Sequence, residues 1–252
     1  EDVLYKGYGV LRNVISKEKA TSLLEDLMKA NVQTQVDYGE SLIRSGEASQ
    51  LRAPLLSDLE FLRCLTDSLE LTEVLDDLFS LRGSFYVINQ QNAVINVASD
   101  NQQHKWHRDY PYAGGLFGQG FAYSVFLCLT EFNSENGGTQ ILPFSDRLES
   151  LPSLNCIERH CETLIAQAGD VLIFDSMCFH RAGVNRSGAP RVGMNTMFCN
   201  PILRQQVDLY GALLEQCKAG DLTDRELMLV GRMSRSYKSV NDMLASRMSD
   251  GT

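Results

Sequence analysis

The sequence has 252 residues, of which 44% are hydrophobic and 22% are charged, and its formal net charge is −9. This apolar share is enough to build a buried core, so the composition excludes a disordered chain. The negative charge, without any block of lysine and arginine, argues against nucleic acid and acidic membrane surfaces as partners, because both would repel the chain. No apolar stretch reaches the ~20 residues that a membrane-spanning helix needs.

The seven cysteines are scattered and include no C-x-x-C pair. They therefore indicate neither a disulfide framework nor a zinc knuckle. The first residues, EDVLYKGYGV, lack the basic-then-apolar layout of a secretion signal. We expect a reducing, cytoplasmic environment.

Helical patterns come first in chain order, at about residues 15–80, and one of them begins at a predicted cap, Ser16. From about residue 84 to 199 the pattern changes to short β-branched and aromatic runs, separated by turns rich in Gly, Asn and Asp. The tail, about residues 203–248, is again helical in pattern and is a candidate contact for a homodimer. These elements predict one domain over residues 1–252, mainly β, with a β-sandwich or jelly-roll core and flanking helices.

The polar stretch NQQHKWHRDYPY contains two residues typical of a metal site, His107 and Asp109. Their two-residue spacing puts both side chains on the same side of an extended segment, where they can bind one ion. His180 follows the apolar run DVLIFDSMCF and supplies a second imidazole. Two histidines and one carboxylate suit Fe(II) and leave coordination positions open. Taken alone, each piece is more often an ordinary hydrogen-bonded residue than a metal ligand.

Arg191 lies 11 residues after His180, with the turn NRSGAP between them. A hairpin of this length returns the chain beside the histidine. The guanidinium can then pair with one carboxylate of a dicarboxylate whose other end reaches the metal. A surface salt bridge is the alternative for a single arginine, and the spacing from His180 favours the first interpretation.

The chain contains, in this order, the H-x-D motif, ENGGTQILPFSDR and GDVLIFDSMCFHRAGVNRSGAPR. This series of motifs resembles the phytanoyl-CoA dioxygenase family of iron(II)- and 2-oxoglutarate-dependent oxygenases. The stretch GYGVLRNVISKEKATSLLEDL resembles the N-terminal strand and helix of that family, so the resemblance covers most of the chain. It implies a cupin-like double-stranded β-helix core. It also implies Fe(II) held by His107, Asp109 and His180, 2-oxoglutarate anchored by Arg191, and O2 as the oxidant.

The same resemblance implies two further cosubstrate contacts. Thr139 would donate its hydroxyl to 2-oxoglutarate, and Asn92 would supply an amide, with ordinary packing as the alternative for Asn92. Ala182 stands where many relatives have serine, so one hydrogen bond to the cosubstrate is absent or comes from another group.

Four residues near these ligands are candidate substrate contacts: Trp106, Tyr110, Tyr112 and Asn195. Ordinary packing is the alternative for each. The glycine-rich stretch PYAGGLFGQGFAY, which follows the H-x-D motif, is a candidate lid.

The leading function hypothesis is hydroxylation of an aliphatic C–H bond in a small-molecule substrate of biosynthetic or secondary metabolism, with 2-oxoglutarate converted to succinate and CO2. Asp109 favours oxygen chemistry, because related halogenases have a small residue at that place. One alternative is desaturation, cyclisation, epimerisation or endoperoxidation at the same iron site. Another is a non-catalytic, cupin-like binding barrel. A serine hydrolase is disfavoured, because the sequence contains no G-x-S-x-G motif.

Overall fold

A computed structural model of the protein describes residues 1–81, 85–98, 102–110, 118–218 and 220–249. The chain forms two compact units, Glu1–Val207 and Asp208–Thr252. The single domain predicted over residues 1–252 stays a prediction. Among the described helices, none combines the length and the apolar character needed to cross a membrane.

The N-terminal part of the first unit contains four helices and two short strands. They are α1 (Asp2–Lys6), β1 (Tyr8–Leu11), α2 (Lys17–Ser45), β2 (Gln50–Arg52), α3 (Glu60–Thr66) and α4 (Leu69–Ser80). The α2 helix begins after Ser16, whose hydroxyl accepts a hydrogen bond from the Lys19 backbone N–H at 3.1 Å. The region predicted as helical therefore also contains β2, a strand too short to show a period of its own.

The remaining elements of the first unit are seven strands and one helix. They are β3 (Val87–Asn96), β4 (Ala122–Cys128), β5 (Thr139–Ile141), α5 (Leu154–His160), β6 (Glu162–Thr163), β7 (Val171–Asp175), β8 (His180–Ala182) and β9 (Arg191–Cys199). Single turns of 3-10 helix lie at Pro54–Leu56, Gln102–His104 and Ser145–Arg147.

The strands form two antiparallel sheets. The major sheet has the order β1-β7-β4-β9-β3-β2, and the minor sheet has the order β6-β5-β8. A buried apolar cluster takes residues from both sheets, among them Phe126 and Phe174 of the major sheet and Ile141 of the minor one. The predicted fold class, mainly β with flanking helices, is confirmed.

The second unit is helical, with α6 (Leu209–Gln216), α7 (Asp224–Leu229) and α8 (Val240–Ser249). Its helices begin at side-chain caps: Asp208 accepts from the Gly211 backbone N–H, and Thr223 and Glu226 form a capping box at α7. The helical tail predicted from about residue 203 thus begins at Leu209 and consists of short helices.

Candidate metal and cosubstrate site

The fold brings His107, Asp109 and His180 together. One ligand atom from each lies within 4.8 Å of the others, and His180 Nε2 is 3.6 Å from Asp109 Oδ1. An isolated antiparallel bridge joins the two histidines, since each backbone N–H donates to the carbonyl of the other at 3.0 Å. Two segments far apart in sequence are thereby placed side by side, and the donor set suits Fe(II).

The two imidazoles are held in matching tautomers. Nδ1 of His107 donates to the Lys105 carbonyl at 2.8 Å, and Nδ1 of His180 donates to the Cys178 carbonyl at 3.0 Å. In each neutral ring this leaves the Nε2 lone pair for an ion. Burial, together with the neighbouring His107, lowers the pKa of His180 to about 4, so this ring is neutral at pH 7.

Asp109 is oriented by two serines, Ser124 of β4 and Ser176, which directly follows β7. Its Oδ2 accepts a hydrogen bond from the Ser124 hydroxyl at 2.6 Å, and Ser124 Oγ lies 3.1 Å from Ser176 Oγ. The Asp109 backbone N–H donates to the Ser176 carbonyl at 3.1 Å. These contacts fix the carboxylate with Oδ1 towards His180. The sequence patterns gave no signal for Ser124, which lies inside an otherwise apolar strand.

Arg191 is 1% exposed and has an incomplete set of partners. Its Nε and Nη2 both donate to the Gly137 carbonyl, at 3.1 and 2.9 Å, whereas Nη1 is buried without a hydrogen-bond partner in the described part of the chain. Burial lowers the pKa of Arg191 to about 10, so it still carries its charge at neutral pH. A buried cation with an unpaired donor is unfavourable unless an anion binds there.

Two of the candidate metal ligands, Asp109 and His180, line one cavity together with Arg191. It is lined by Val94, Gln103, Asp109, Phe126, Thr139, Phe174, His180, Arg181, Ala182, Arg191 and Asn195. Thr139 and Ala182 lie directly opposite each other on β5 and β8. A cation would fit beside Asp109 and His180, and an anion would fit beside the unpaired Nη1 of Arg191. Iron and a dicarboxylate together would satisfy both requirements.

A family model of phytanoyl-CoA dioxygenase (PhyH) matches residues 5–193. The chain belongs to the phytanoyl-CoA dioxygenase family. The family predicted from the sequence is thus confirmed, and with it an oxidoreductase.

Curated relatives include proteins of bacteria and fungi. The chain is 26% identical to Mycobacterium tuberculosis "Uncharacterized protein Rv1501" over 214 residues, which are 82% of this chain and 76% of that protein. It is 31% identical to "Dioxygenase olcK" of Penicillium canescens, over 48% of this chain and 41% of the relative. It is 26% identical to "Multifunctional dioxygenase prhA" of Penicillium brasilianum, over 73% of this chain and 65% of the relative.

Solved structures of other proteins share the fold. The non-heme monooxygenase ThoJ aligns with a TM-score of 0.64 at 19% identity, covering 82% of this chain and 79% of that one. EctD from S. alaskensis, solved with 2-oxoglutarate and 5-hydroxyectoine, aligns with a TM-score of 0.57 at 17% identity, covering 81% and 76%. These likenesses support the jelly-roll core that the family resemblance implies.

Two asparagines lie opposite each other on β3 and β9 of this PhyH-family core, Asn92 and Asn195. Asn195 lines the cavity, and its Oδ1 is buried without a partner among the described residues. Asn92 is buried on the same face of β3 as Val94, and its Nδ2 donates to Gln90 Oε1 at 2.9 Å. Asn195 therefore adds an amide to the cavity wall, whereas Asn92 is not among the residues that line it.

The aromatic candidates lie elsewhere. Trp106 packs against a buried cluster of Leu142, Ile157 and Phe179, because alternation about His107 turns its side chain away from the cavity. Tyr110 is buried in a cluster that includes Val87 and Met197. For both residues this placement favours packing over substrate contact. Tyr112, with most of the predicted lid, lies outside the described residues.

Arg108, the middle residue of the H-x-D motif, was missed by the sequence patterns. It is buried, and it donates from Nε to the Met177 carbonyl at 2.7 Å and from Nη2 to the Ser145 carbonyl at 2.9 Å. Nη2 and Nη1 also donate to the carbonyls of Leu148 and Glu149. Its guanidinium lies 3.9 Å from the ring centroid of Phe179. Arg108 thus connects the H-x-D segment to the segment that leads to His180.

Proposed function

We propose that this protein hydroxylates an aliphatic C–H bond of a small molecule and converts 2-oxoglutarate to succinate and CO2 as it does so. The observation that carries the proposal is the pairing of two features in one cavity. One is the His107, Asp109 and His180 cluster. The other is the unpaired, buried Nη1 of Arg191.

In this proposal His107, Asp109 and His180 hold Fe(II), which supplies the activation of dioxygen when bound. Arg191 binds the far carboxylate of 2-oxoglutarate, which provides the partner that its Nη1 lacks. Because Arg191 is buried among Phe126 and Phe132, this ion pair forms away from water and is strong.

Thr139 donates the hydroxyl that supports the same carboxylate. Ala182, directly across the minor sheet, has no polar side-chain atom, so Thr139 is the hydroxyl donor of that pair of positions. Asn92 and Asn195 face the same interior from the major sheet. We assign Asn195 to the ligand-contacting wall, because its buried Oδ1 needs a donor.

The remaining wall of the cavity is apolar. Val94, Phe126 and Phe174 line it, and Phe174 lies 4.7 Å from the His180 ring, centroid to centroid. Such a wall excludes water from the metal side and accepts the hydrocarbon part of a ligand. The dioxygenases of fungi among the relatives, olcK and prhA, support oxidation of a small molecule as the reaction class.

An anaerobic titration of the metal-free protein with Fe(II) and 2-oxoglutarate tests the site. We expect a visible charge-transfer band that saturates near one equivalent and disappears in His180→Ala. His160→Ala is the matched control, because His160 is an exposed histidine at the end of α5. A folded wild-type protein without the band, or an undiminished band in His180→Ala, would contradict the proposed site.

Product mass tests the reaction itself. With an accepted substrate, hydroxylation adds one oxygen atom, desaturation removes two hydrogen atoms, and epimerisation leaves the mass unchanged. We expect one added oxygen atom for each succinate formed. A product without added oxygen would contradict hydroxylation and would favour one of the other reactions at the same iron site.

A further inference from the structure

A second recess lies on the outer face of the minor sheet, and we call it the outer groove. Its lining includes Ser134, Gly138, Gln140, Thr163, Arg181 and Arg186. Alternation along β5 and β8 explains its position. Thr139 and His180 point into the cavity, so the neighbouring Gln140 points to the opposite face. Arg181 lies at the edge between them and lines both recesses.

The floor of the outer groove is a hydrogen-bonded row across three strands. Gln140 pairs in register with Arg181 on one side and Thr163 on the other. Arg181 Nε donates to Gln140 Oε1 at 2.8 Å, and Gln140 Nε2 donates to Thr163 Oγ1 at 3.4 Å. The side-chain acceptors in this row are thereby engaged. The groups left to meet a ligand are donors, chiefly the two amino groups of Arg181.

Arg186 stands at the rim of the outer groove. Its backbone N–H donates to the Glu135 carbonyl at 2.8 Å, and the Gly183 N–H donates to the Gly138 carbonyl at 3.1 Å, so two turns are held together beside the row. The side chain of Arg186 forms no ion pair or hydrogen bond with any part of the chain that the structure describes.

Charge makes the outer groove stand out. The chain has a formal net charge of −9, yet the described lining contains two arginines and no carboxylate. Glu162, next to Thr163 in sequence, accepts a hydrogen bond from the Tyr8 hydroxyl instead. Two guanidinium groups with neighbouring hydroxyl and amide groups are the arrangement that binds phosphate or carboxylate oxygens.

We propose that the outer groove is a second ligand site, which binds a small molecule through a phosphate or carboxylate group held by Arg181 and Arg186. Apart from Arg181, which lines both recesses, the described lining of the outer groove is distinct from that of the cavity. It does not depend on the proposed hydroxylase reaction.

Calorimetric titration of the metal-free protein with inorganic phosphate, and separately with succinate, tests this site at constant ionic strength. We expect, beyond any binding at Arg191, one saturable site for at least one anion, weakened about tenfold in Arg186→Gln by loss of a charged hydrogen-bond donor. Arg181→Gln should weaken the same binding, whereas Arg191→Lys should leave it unchanged. The anion that binds identifies the chemical group that the site accepts.

Two results would overturn the proposal. One is the absence of saturable binding for both anions. The other is binding that survives in both Arg186→Gln and Arg181→Gln but is lost in Arg191→Lys, since that anion would occupy the cavity. Arg186 is exposed, so Arg186→Gln should fold normally and keep the test decisive.

Discussion

At the scale of single residues, Arg191 shows how an incomplete set of contacts can indicate a ligand. Buried donors in folded proteins are almost always paired, so an unpaired Nη1 on a buried guanidinium calls for an explanation. This arginine could be picked out from the sequence because it follows His180 by 11 residues. Its missing partner could not, because that depends on how the strands pack around it.

Replacing Arg191 by lysine keeps the charge but removes the planar pair of donors. We expect the KM for 2-oxoglutarate to rise about 10- to 100-fold, the effect of losing a charged hydrogen bond in a buried site. Arg147→Lys is the control, since Arg147 is exposed and bonds only to carbonyls and a carboxylate at the surface. An unchanged KM in Arg191→Lys would remove the arginine from cosubstrate binding.

Arg108 leads to a prediction about the metal. Lysine at this position cannot reach the carbonyls of Met177, Ser145 and Glu149 together, so the two ligand-bearing segments lose their connection. We expect Arg108→Lys to weaken Co(II) or Fe(II) binding about 10- to 100-fold, as for other residues that orient ligands. The visible spectrum of the Co(II) form should also change, which a loss of global stability alone would not cause. Equal affinity in Arg108→Lys and Arg147→Lys would contradict this role.

At the scale of elements, the turn before β7 connects the edge strand β1 to the sheet. Asp170 accepts hydrogen bonds from the backbone N–H groups of Asn13 and Gln167, at 2.9 and 2.8 Å, and from Arg12 at 2.7 Å. Gly169 precedes it with φ +95°, and a Cβ there would lie 2.3 Å from the Ile15 carbonyl oxygen. The turn was predicted from its composition, whereas its role in holding β1 depends on contacts with the N-terminal segment.

Asp170→Asn should lower the free energy of unfolding by about 1–3 kcal/mol, because a charged acceptor becomes a neutral one. Burial acts to raise the pKa of Asp170, but the three hydrogen bonds together outweigh it and lower the pKa. The folded state therefore binds fewer protons than the unfolded state below about pH 4, so this stabilisation is present above that pH and is lost as the pH falls further. The free energy of unfolding, measured with urea across this pH range, should fall less steeply with decreasing pH in Asp170→Asn than in the wild type. An equal pH dependence in the two proteins would contradict this role of Asp170.

The elements also show where sequence patterns reach their limit. The long strands β3, β4 and β9 have enough residues for their composition to be recognised. The three-residue strand β2 and the short helix α5 have too few residues for a recognisable pattern, so their conformation depends on tertiary contacts. The three candidate metal ligands that the fold brings together could be picked out from the sequence, because the chemistry limits their types and order. The part played by Arg108 could not, because its acceptors are backbone carbonyls, which every sequence offers.

At the scale of the whole molecule, the cysteines divide into two groups. Cys64, Cys128, Cys178 and Cys199 are buried, whereas Cys156, Cys161 and Cys217 are partly exposed. Burial raises the pKa of the thiols of Cys64 and Cys199 to about 12, and it raises the pKa of Cys128 and Cys178 as well.

Thiol titration with an aromatic disulfide reagent at pH 8 should therefore distinguish native from unfolded protein. We expect the three partly exposed cysteines to react in the native state and the four buried ones to react only after denaturation. Fast reaction of more than three thiols in the native protein would mean that the core opens more readily than its packing indicates.

The backbone bridge between His107 and His180 consists of two hydrogen bonds, and it is isolated from the paired strands of both sheets. Such a pair can open by a local fluctuation while the rest of both sheets stays closed. An ion bound to both imidazoles would prevent that opening, because the bridge could then part only if a metal–ligand bond also broke. Loss of the metal and separation of the two segments would become one event, and the hydrogen-exchange rates of these two amides would report how often it happens.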